Sequence, residues 1–158
     1  MAENVGGAAL LSDPLAQELL ASSIPARLAY TGRDGTPRVV PIWFQWTGSE
    51  LVMCSLPGAP KVAALQERSD VAITIDTDAW PYKALMIRGK AHVDRHSGVV
   101  PEFTQAARRY LGEKEGESFL EQFRTTWLRD YSWRIGVRPE RVILVDFGAG
   151  RLPHNIPT

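Results

Sequence analysis

Residues 26–46, ARLAYTGRDGTPRVVPIWFQW, contain two apolar runs joined by a short polar turn. The second run, residues 38–46, is rich in β-branched and aromatic side chains, which favours a strand. Between the runs, Asp34-Gly35 supplies the positive φ angles that a tight hairpin turn requires. The stretch therefore predicts an antiparallel hairpin of strands 26–31 and 38–46, and residues 51–55 continue it as the third strand of a meander.

Helices and further strands are predicted on both sides of this meander. Ser12 or Asp13 is placed to cap a helix that starts at Pro14. Further helices are predicted over residues 61–68, 101–111 and 117–128, and further strands over residues 71–76, 82–93, 132–137 and 141–147. Gly89 inside a strand indicates a bulge or a barrel corner. We therefore expect an α+β protein built on an antiparallel barrel.

Length and composition limit the function classes. The chain has 158 residues, and we expect a flexible N-terminal arm over residues 1–11 and a single domain over residues 12–158. Its 18 basic and 18 acidic side chains give a net charge of zero, which argues against a nucleic-acid partner. No signal peptide and no membrane-spanning run is evident, and the single cysteine, Cys54, fits a reducing compartment. We therefore expect a cytoplasmic protein without a membrane partner.

Motifs for protein-borne catalysis are missing from the sequence. It contains no P-loop, no dinucleotide fingerprint and no nucleophile elbow. His92, His96 and His154 do not share a helix face, so no metal site is expected. No catalytic residue is identified, and an enzyme built from this chain needs a cofactor for its chemistry.

The segment LVMCSLPGAPK, residues 51–61, suggests a phosphate site. A predicted strand ends at Ser55, a Gly/Pro loop follows, and Lys61 stands at a helix start. A helix N-terminus offers unpaired N–H groups and a partial positive charge, while Ser55 can donate a hydrogen bond and Lys61 adds a full charge. The alternative interpretation is that Lys61 is only solvated.

The segment RVVPIWF, residues 38–44, suggests a sheet edge. Pro41 cannot donate to a ladder, so its strand lies at an edge or is bulged there. Free backbone groups of an edge can hydrogen-bond a planar ring with amide-like edges, and Trp43, Phe44 and Trp46 can line its pocket. The alternative is that these aromatic residues belong to the barrel core.

Taken in order, these segments resemble the pyridoxamine phosphate oxidase-like, FMN-binding split-barrel family. The resemblance covers roughly residues 15–147 and rests on the opening helix, the hairpin 27–38, the strand 39–44, the loop 55–61 with the helix and strand after it, and ALMIRGKA at 84–91. It implies an antiparallel Greek-key split β-barrel with peripheral helices. It also implies a homodimer with FMN at the interface and a small-molecule substrate.

The resemblance also implies a set of cofactor contacts. The matching residues are Arg38, Val39, Val40, Pro41, Ile42, Trp43, Cys54, Ser55, Pro60, Lys61, Lys83 and Ala84. The strand 38–43 corresponds to the one whose backbone contacts the flavin ring, and Arg38 to an arginine on the phosphate in some relatives. Residues 54–55 and 60–61 correspond to positions at that phosphate. Residues 83–84 lie on a strand that crosses the ring, from the same subunit or from its partner.

The chain departs from the oxidases themselves at three of these positions. They carry a lysine at the position of Trp43, a basic pair at Pro60-Lys61 and a glutamine at Ala84. The resemblance therefore points to the broader branch whose members use FMN or the deazaflavin coenzyme F420. It implies an FMN-binding oxidoreductase that transfers a hydride to or from a small organic substrate. The alternatives are an F420-dependent reductase and a non-catalytic flavin or haem carrier.

Two further groups of residues are candidates for roles around such a cofactor. The longer, acidic tail of F420 would favour an additional basic groove, for which the candidates are Arg33, Lys83, Arg88 and Arg151. Aromatic residues that can cover the substrate side are Trp80, Tyr82, Trp127, Tyr131 and Trp133.

Overall fold

The computed structural model describes residues 3–153, which form four α-helices around one antiparallel sheet of eight strands. The helices are α1 (Pro14–Leu20), α2 (Pro60–Glu67), α3 (Pro101–Leu111) and α4 (Glu113–Gln122). The strands are β1 (Val5–Gly6), β2 (Ala26–Thr31), β3 (Pro37–Ile42), β4 (Gln45–Trp46), β5 (Leu51–Ser55), β6 (Asp70–Asp76), β7 (Lys83–Ser97) and β8 (Tyr131–Asp146). A 3-10 helix, Ala8–Ser12, precedes α1, and a π-helical turn, Phe123–Trp127, follows α4.

Local signals determine where the helices begin and end. Asp13 caps α1, because its carboxylate accepts a hydrogen bond of 2.9 Å from the backbone N–H of Leu15. The predicted bounds of α3 are confirmed at both ends. The next helix begins at Glu113 and not at residue 117, because Gly112 takes a φ of 85° and lets the chain turn at once.

The long hairpin of β7 and β8 forms the centre of the sheet, whose strand order is β3-β2-β6-β7-β8-β5-β4, with β1 also paired to β8. The prediction of two separate strands at 132–137 and 141–147 is wrong, since β8 is continuous. Pro139 lies opposite Gly89, where the register shifts, so the ladder tolerates the missing N–H. A Cβ on Gly89 would lie 2.3 Å from the carbonyl oxygen of Arg138, which explains the glycine and confirms the predicted bulge.

The segment 38–46, predicted as one strand, is divided between the two ends of the sheet. β3 pairs with β2 at one end of the strand order, and β4 pairs with β5 at the other. Only Trp43 and Phe44 separate them, so the sheet must curl until its two ends come together. The result is an α+β split barrel that is not closed by a β3–β4 ladder.

The core fills the inside of this curled sheet. Phe44, at the break between β3 and β4, is fully buried beside Leu28 and Leu51. Leu15 and Leu19 of α1 cover the same core. Burial of these apolar side chains supplies the main stabilisation, at about 25 cal/mol for each Å² removed from water.

The segment expected to be a flexible arm is, from residue 5 onward, attached to the sheet. Val5 and Gly6 pair with β8, and Leu11 is only 3% exposed. Arg151 binds Asp13 at 3.1 Å and also donates to the Asn4 side chain at 3.1 Å. These contacts hold both described ends of the chain together. Within residues 3–153, no helix is long and apolar enough to cross a membrane.

Candidate cofactor-binding site

A cleft of about 630 Å³ lies between the β2–β3 turn, the start of α2 and the start of β8. Its walls include Tyr30, Gly32, Arg33, Asp34, Arg38, Gly58, Ala59, Pro60, Val62, Ala63, Ala64, Gln66, Tyr131 and Trp133. The volume is in the range of cofactor and small-molecule sites. The fold thus brings two predicted residues, Arg38 and Pro60, to one cleft.

Lys61 follows Pro60 of the cleft wall in the first turn of α2, but it does not itself belong to the lining residues. Its ammonium donates a hydrogen bond of 3.3 Å to the hydroxyl of Ser55, which is only 5% exposed. Burial lowers the pKa of Lys61 from its ordinary value of 10.5. Among residues 3–153, no carboxylate lies within 4 Å of this ammonium. A half-buried cation without an anionic partner fits the binding of a phosphate.

The loop before α2 adjoins this cation, and the N–H groups of Ala59 and Val62 already donate to the carbonyls of Leu56 and Ala59. Gly58 adopts a φ of 83°, and a Cβ there would meet nothing within 4 Å, so the loop turns openly beside the cleft. No side chain caps the first turn of α2, which starts at Pro60. The helix N-terminus therefore presents its positive end to the same region as Lys61.

Cys54, the other predicted residue at the end of β5, has an unreactive thiol. Burial raises the pKa of its thiol to about 11, although Ser132, the backbone of Val100 and the charge of Lys61 act in the opposite direction. The thiol is therefore protonated at neutral pH and does not act as a nucleophile there. Cys54 is half-buried on β5, and its role near Lys61 is packing.

The guanidinium groups that line the cleft are already paired. Arg38 contacts Asp34 at 2.8 Å and also donates to the Thr36 hydroxyl, while Arg33 contacts Glu67 at 2.8 Å. Hydrogen bonds from Thr36, followed by the one from Arg38, hold the pKa of Asp34 well below its usual range. An anion that reaches Arg38 must therefore compete with a carboxylate, whereas one at Lys61 need not.

The predicted edge strand is confirmed. β3 ends the strand order, and Val39 is 66% exposed. Val40, Pro41 and Ile42 continue this edge, with Pro41 exposed and its two neighbours half-buried. An edge strand keeps backbone groups on its outer side that no other described strand takes up.

The Trp43 side chain lies away from the cleft, in a cluster of aromatic rings between β3 and the helices. It stacks on Tyr110 with ring centroids 4.9 Å apart and an angle of 10°, and it contacts Phe119 at 5.2 Å. Phe44 is fully buried and meets Tyr110 edge-on at 6.4 Å. Phe44 thus belongs to the barrel core, as the alternative interpretation expects, whereas Trp43 is half-buried against aromatic rings of α3 and α4.

Arg109 links this aromatic cluster to Phe44 and Gln45, where the chain passes from β3 to β4. It donates a hydrogen bond of 3.0 Å to the Ser22 carbonyl, and it also bonds the Phe44 carbonyl and the Gln45 side-chain oxygen. Its guanidinium lies 4.9 Å from the ring centroid of Phe44 and 4.8 Å from that of Tyr110. Arg109 therefore gives the Phe44 carbonyl at the strand break a donor and links it to the carbonyl of Ser22 after α1.

Lys83 and Ala84 lie in a different cleft, of about 540 Å³, together with Arg27 and Phe147. Lys83 contacts Glu18 at 3.0 Å. Beside it, Trp80 is 70% exposed, and its ring lies 5.3 Å from that of Tyr82. One copy of the chain does not bring residues 83–84 to the cleft that Arg38 lines.

Residues 12–145 match the pyridoxamine 5'-phosphate oxidase family over most of the chain. This protein belongs to that family. The chain has no match among the curated proteins compared with it.

Several solved protein structures have a fold similar to that of this chain. An F420 reductase is 26% identical, with a TM-score of 0.56, over 78% of this chain and 91% of that chain. A conserved hypothetical protein from Mycobacterium tuberculosis is 18% identical, with a TM-score of 0.66, over 100% of this chain and 96% of that chain. A haem storage protein from Vibrio cholerae is 18% identical, with a TM-score of 0.61, over 85% and 95%. The family-like fold thus occurs with more than one kind of ligand.

Within this family fold, the cleft contains residues that the sequence did not single out for it. Tyr30, Asp34 and Gln66 line it, although only Asp34 carried a local signal, as part of the hairpin turn. Of the five aromatic residues expected over a substrate, Tyr131 and Trp133 line the same cleft. Of the other three, Tyr82 lines the cleft of Lys83, Trp80 contacts Tyr82, and Trp127 lines a separate pocket with Gly58.

The basic groove expected for a longer cofactor does not form from its candidates in a single copy of the chain. Arg33, Lys83 and Arg151 lie in three separate places, and each contacts a carboxylate. Arg88 lies on β7 opposite Arg141. Among residues 3–153, no cluster of potential metal ligands occurs, while His154 lies outside the described residues.

Proposed function

We propose that this protein is an oxidoreductase that binds FMN and transfers a hydride to or from a small organic substrate. The observation that supports this most is the half-buried ammonium of Lys61, which has no carboxylate within 4 Å among the described residues and adjoins a cleft of about 630 Å³. A site of this kind suits a ligand with one phosphate and a planar body.

Each part of the cleft has a task in this proposal. Lys61 and the first turn of α2 hold the phosphate, with Ser55 fixing the ammonium from below. The exposed edge of β3, around Val39, offers backbone groups to the ring. Tyr131 and Trp133 exclude water from one side of the cleft. When bound, FMN supplies the hydride chemistry that no side chain of this protein provides.

The proposed functional unit is a homodimer with the cofactor at the interface. Lys83 and Ala84 correspond to cofactor contacts in the family, but they line a cleft apart from that of Arg38. A second copy can bring them to the same ligand. Trp80 and Val39, 70% and 66% exposed, are large apolar side chains of the kind that such an interface covers.

A second candidate cofactor is the deazaflavin F420. The F420 reductase of similar fold is 26% identical to this chain, and it supports this alternative directly. The ring chemistry and the phosphate contact would be the same, whereas the tail beyond the phosphate would differ. A carrier that holds a flavin or a haem without turnover is the remaining alternative, and nothing in the site favours haem specifically.

The decisive experiment identifies the small molecule that the purified protein carries or takes up. We expect a flavin absorption spectrum, FMN in the mass spectrum after denaturation, and a dimer in solution. Uptake of F420 but not of FMN would select the second candidate. Failure to bind either would refute the flavin proposal, and bound cofactor that is reoxidised no faster with any organic substrate than with oxygen would favour a carrier.

A further inference from the structure

Another pocket, of about 420 Å³, is formed by the loop that precedes α2 and by the segment between α4 and β8. Its walls are Leu56, Pro57, Gly58, Trp127 and Arg129. Gly58 lines both this pocket and the larger cleft, so the two spaces adjoin at this residue. The side of Gly58 where a Cβ would stand is open, with nothing within 4 Å.

Arg129 differs from the arginines of the larger cleft in having no anionic partner. Among residues 3–153, no carboxylate lies within 4 Å of its guanidinium, whereas Arg33 and Arg38 each contact one at 2.8 Å. No acidic residue belongs to the described walls of the pocket. The pocket therefore has a net positive charge and a donor fork suited to a carboxylate or a phosphate.

Trp127 gives the same pocket an apolar wall. The side chain is 44% exposed, and its ring rests on Phe119 and Phe123, with centroid distances of 5.9 and 6.2 Å. Trp127 ends the π-helical turn, a rare local structure that is frequent at functional sites. Leu56 and Pro57 are apolar as well, so an apolar or planar group can lie beside the charge of Arg129.

We infer that this pocket binds an acidic group carried on an apolar or planar body, with Arg129 as the anion contact and Trp127 as the packing surface. The inference rests on the proposed function and extends it, because the pocket adjoins the proposed phosphate site across Gly58. Two sources can supply this chemistry. One is an acidic extension of the cofactor beyond its phosphate, and the other is a substrate with a carboxylate.

The test measures ligand binding by calorimetry for the wild type, Arg129→Gln, Trp127→Leu and the control Lys114→Gln. Lys114 is an exposed residue of α4 without an ion pair among the described residues, and it does not line the pocket, so its replacement removes one charge outside the pocket walls. The ligands are FMN, F420 with its acidic tail, and indole-3-acetate. The indole acid is titrated into the cofactor-free and the FMN-loaded protein.

We expect Arg129→Gln to leave the Kd of FMN within about twofold and to raise that of F420 or of indole-3-acetate about tenfold or more. Trp127→Leu should weaken the same ligand, and Lys114→Gln should weaken none. An effect on F420 alone identifies the cofactor extension, and one on indole-3-acetate identifies a substrate acid.

Equal Kd values for the wild type and Arg129→Gln with both acidic ligands would overturn the inference, and so would an equal loss of FMN binding. If the wild type binds neither FMN nor F420, the proposed function fails, while indole-3-acetate titrated into the cofactor-free protein still decides whether Arg129 binds acids.

Discussion

The ammonium of Lys61 is held by the hydroxyl of Ser55 at 3.3 Å, and this pair joins the end of β5 to the first turn of α2. Ser55 is 5% exposed, and in the proposed site it acts on a phosphate through Lys61, which follows Pro60 of the cleft wall. The hydrogen bond to Ser55 therefore fixes the position of the Lys61 ammonium, whereas an exposed lysine side chain is usually mobile. Two predictions concern this pair.

Lys61→Ala should weaken FMN binding by about 1.5–3 kcal/mol, roughly 10- to 150-fold, because a charged hydrogen bond to the phosphate is lost. Lys114→Ala, which removes an exposed charge on α4, serves as the control and should change the Kd by less than about twofold. Fluorescence titration measures both. Identical Kd values for wild type and Lys61→Ala would exclude Lys61 from the phosphate site.

The affinity for FMN should begin to fall at a lower alkaline pH than it would if Lys61 had the pKa of an exposed lysine. Burial lowers the pKa of Lys61 below 10.5, so the ammonium loses its proton, and the phosphate loses its partner, as the pH rises through that lowered value. Lys61→Arg stays protonated and should flatten this decline. Titrations between neutral pH and about pH 10 measure it, and the same decline in both proteins would assign it to another group.

Arg109→Met should lower the free energy of unfolding by about 2–3 kcal/mol, because the carbonyls of Ser22 and Phe44 lose their donor. For a chain of this size, we expect a Tm lower by about 5–10 °C. Arg108→Met is the matched control, since Arg108 is exposed and forms only surface ion pairs, so its change should stay below about 1 kcal/mol. Equal losses in the two variants would show that the acceptor contacts of Arg109 contribute nothing specific.

Gly89→Ala should destabilise the fold by about 2–3 kcal/mol, because the new methyl group would meet the Arg138 carbonyl oxygen at 2.3 Å. Gly7→Ala is the control: its Cβ would have one neighbour, at 3.9 Å, and should change stability by less than about 0.5 kcal/mol. Denaturant unfolding measures both. A Gly89→Ala variant as stable as the wild type would mean that the bulge between β7 and β8 is soft.

Local chemistry made much of the fold predictable from the sequence. Asp13 before Pro14 and the periodic segment 101–111 carry their own start and end signals, and both helices begin as expected. The strand prediction was wrong at Pro139, because a residue without an N–H breaks a ladder unless a bulge lies opposite. Gly89, which is 50 positions earlier in the sequence, supplies that bulge. The strand prediction was wrong at Trp43 as well, since stacking on Tyr110 takes this residue out of the strand.

In the candidate site too, contacts between residues close in the sequence could be predicted, and contacts that depend on the whole sheet could not. The contact between Ser55 and Lys61 spans six positions, so the sequence order could indicate it. The place of Tyr131 and Trp133 beside Pro60 depends on β8 pairing with β5, which no local pattern shows. The separation of Lys83 from Arg38 depends likewise on the curl of the whole sheet.

The central position of β8 has a consequence for how the chain folds during its synthesis. β8 is the last of the described strands in the sequence, yet β1, β5 and β7 all pair with it. The sheet formed by β3, β2, β6 and β7 can assemble first, but the barrel has no other strand to join that half to β5 and β4. The cleft can therefore be completed only after β8 has been synthesised, and until then one edge of β7 lacks a partner strand and can pair with other chains.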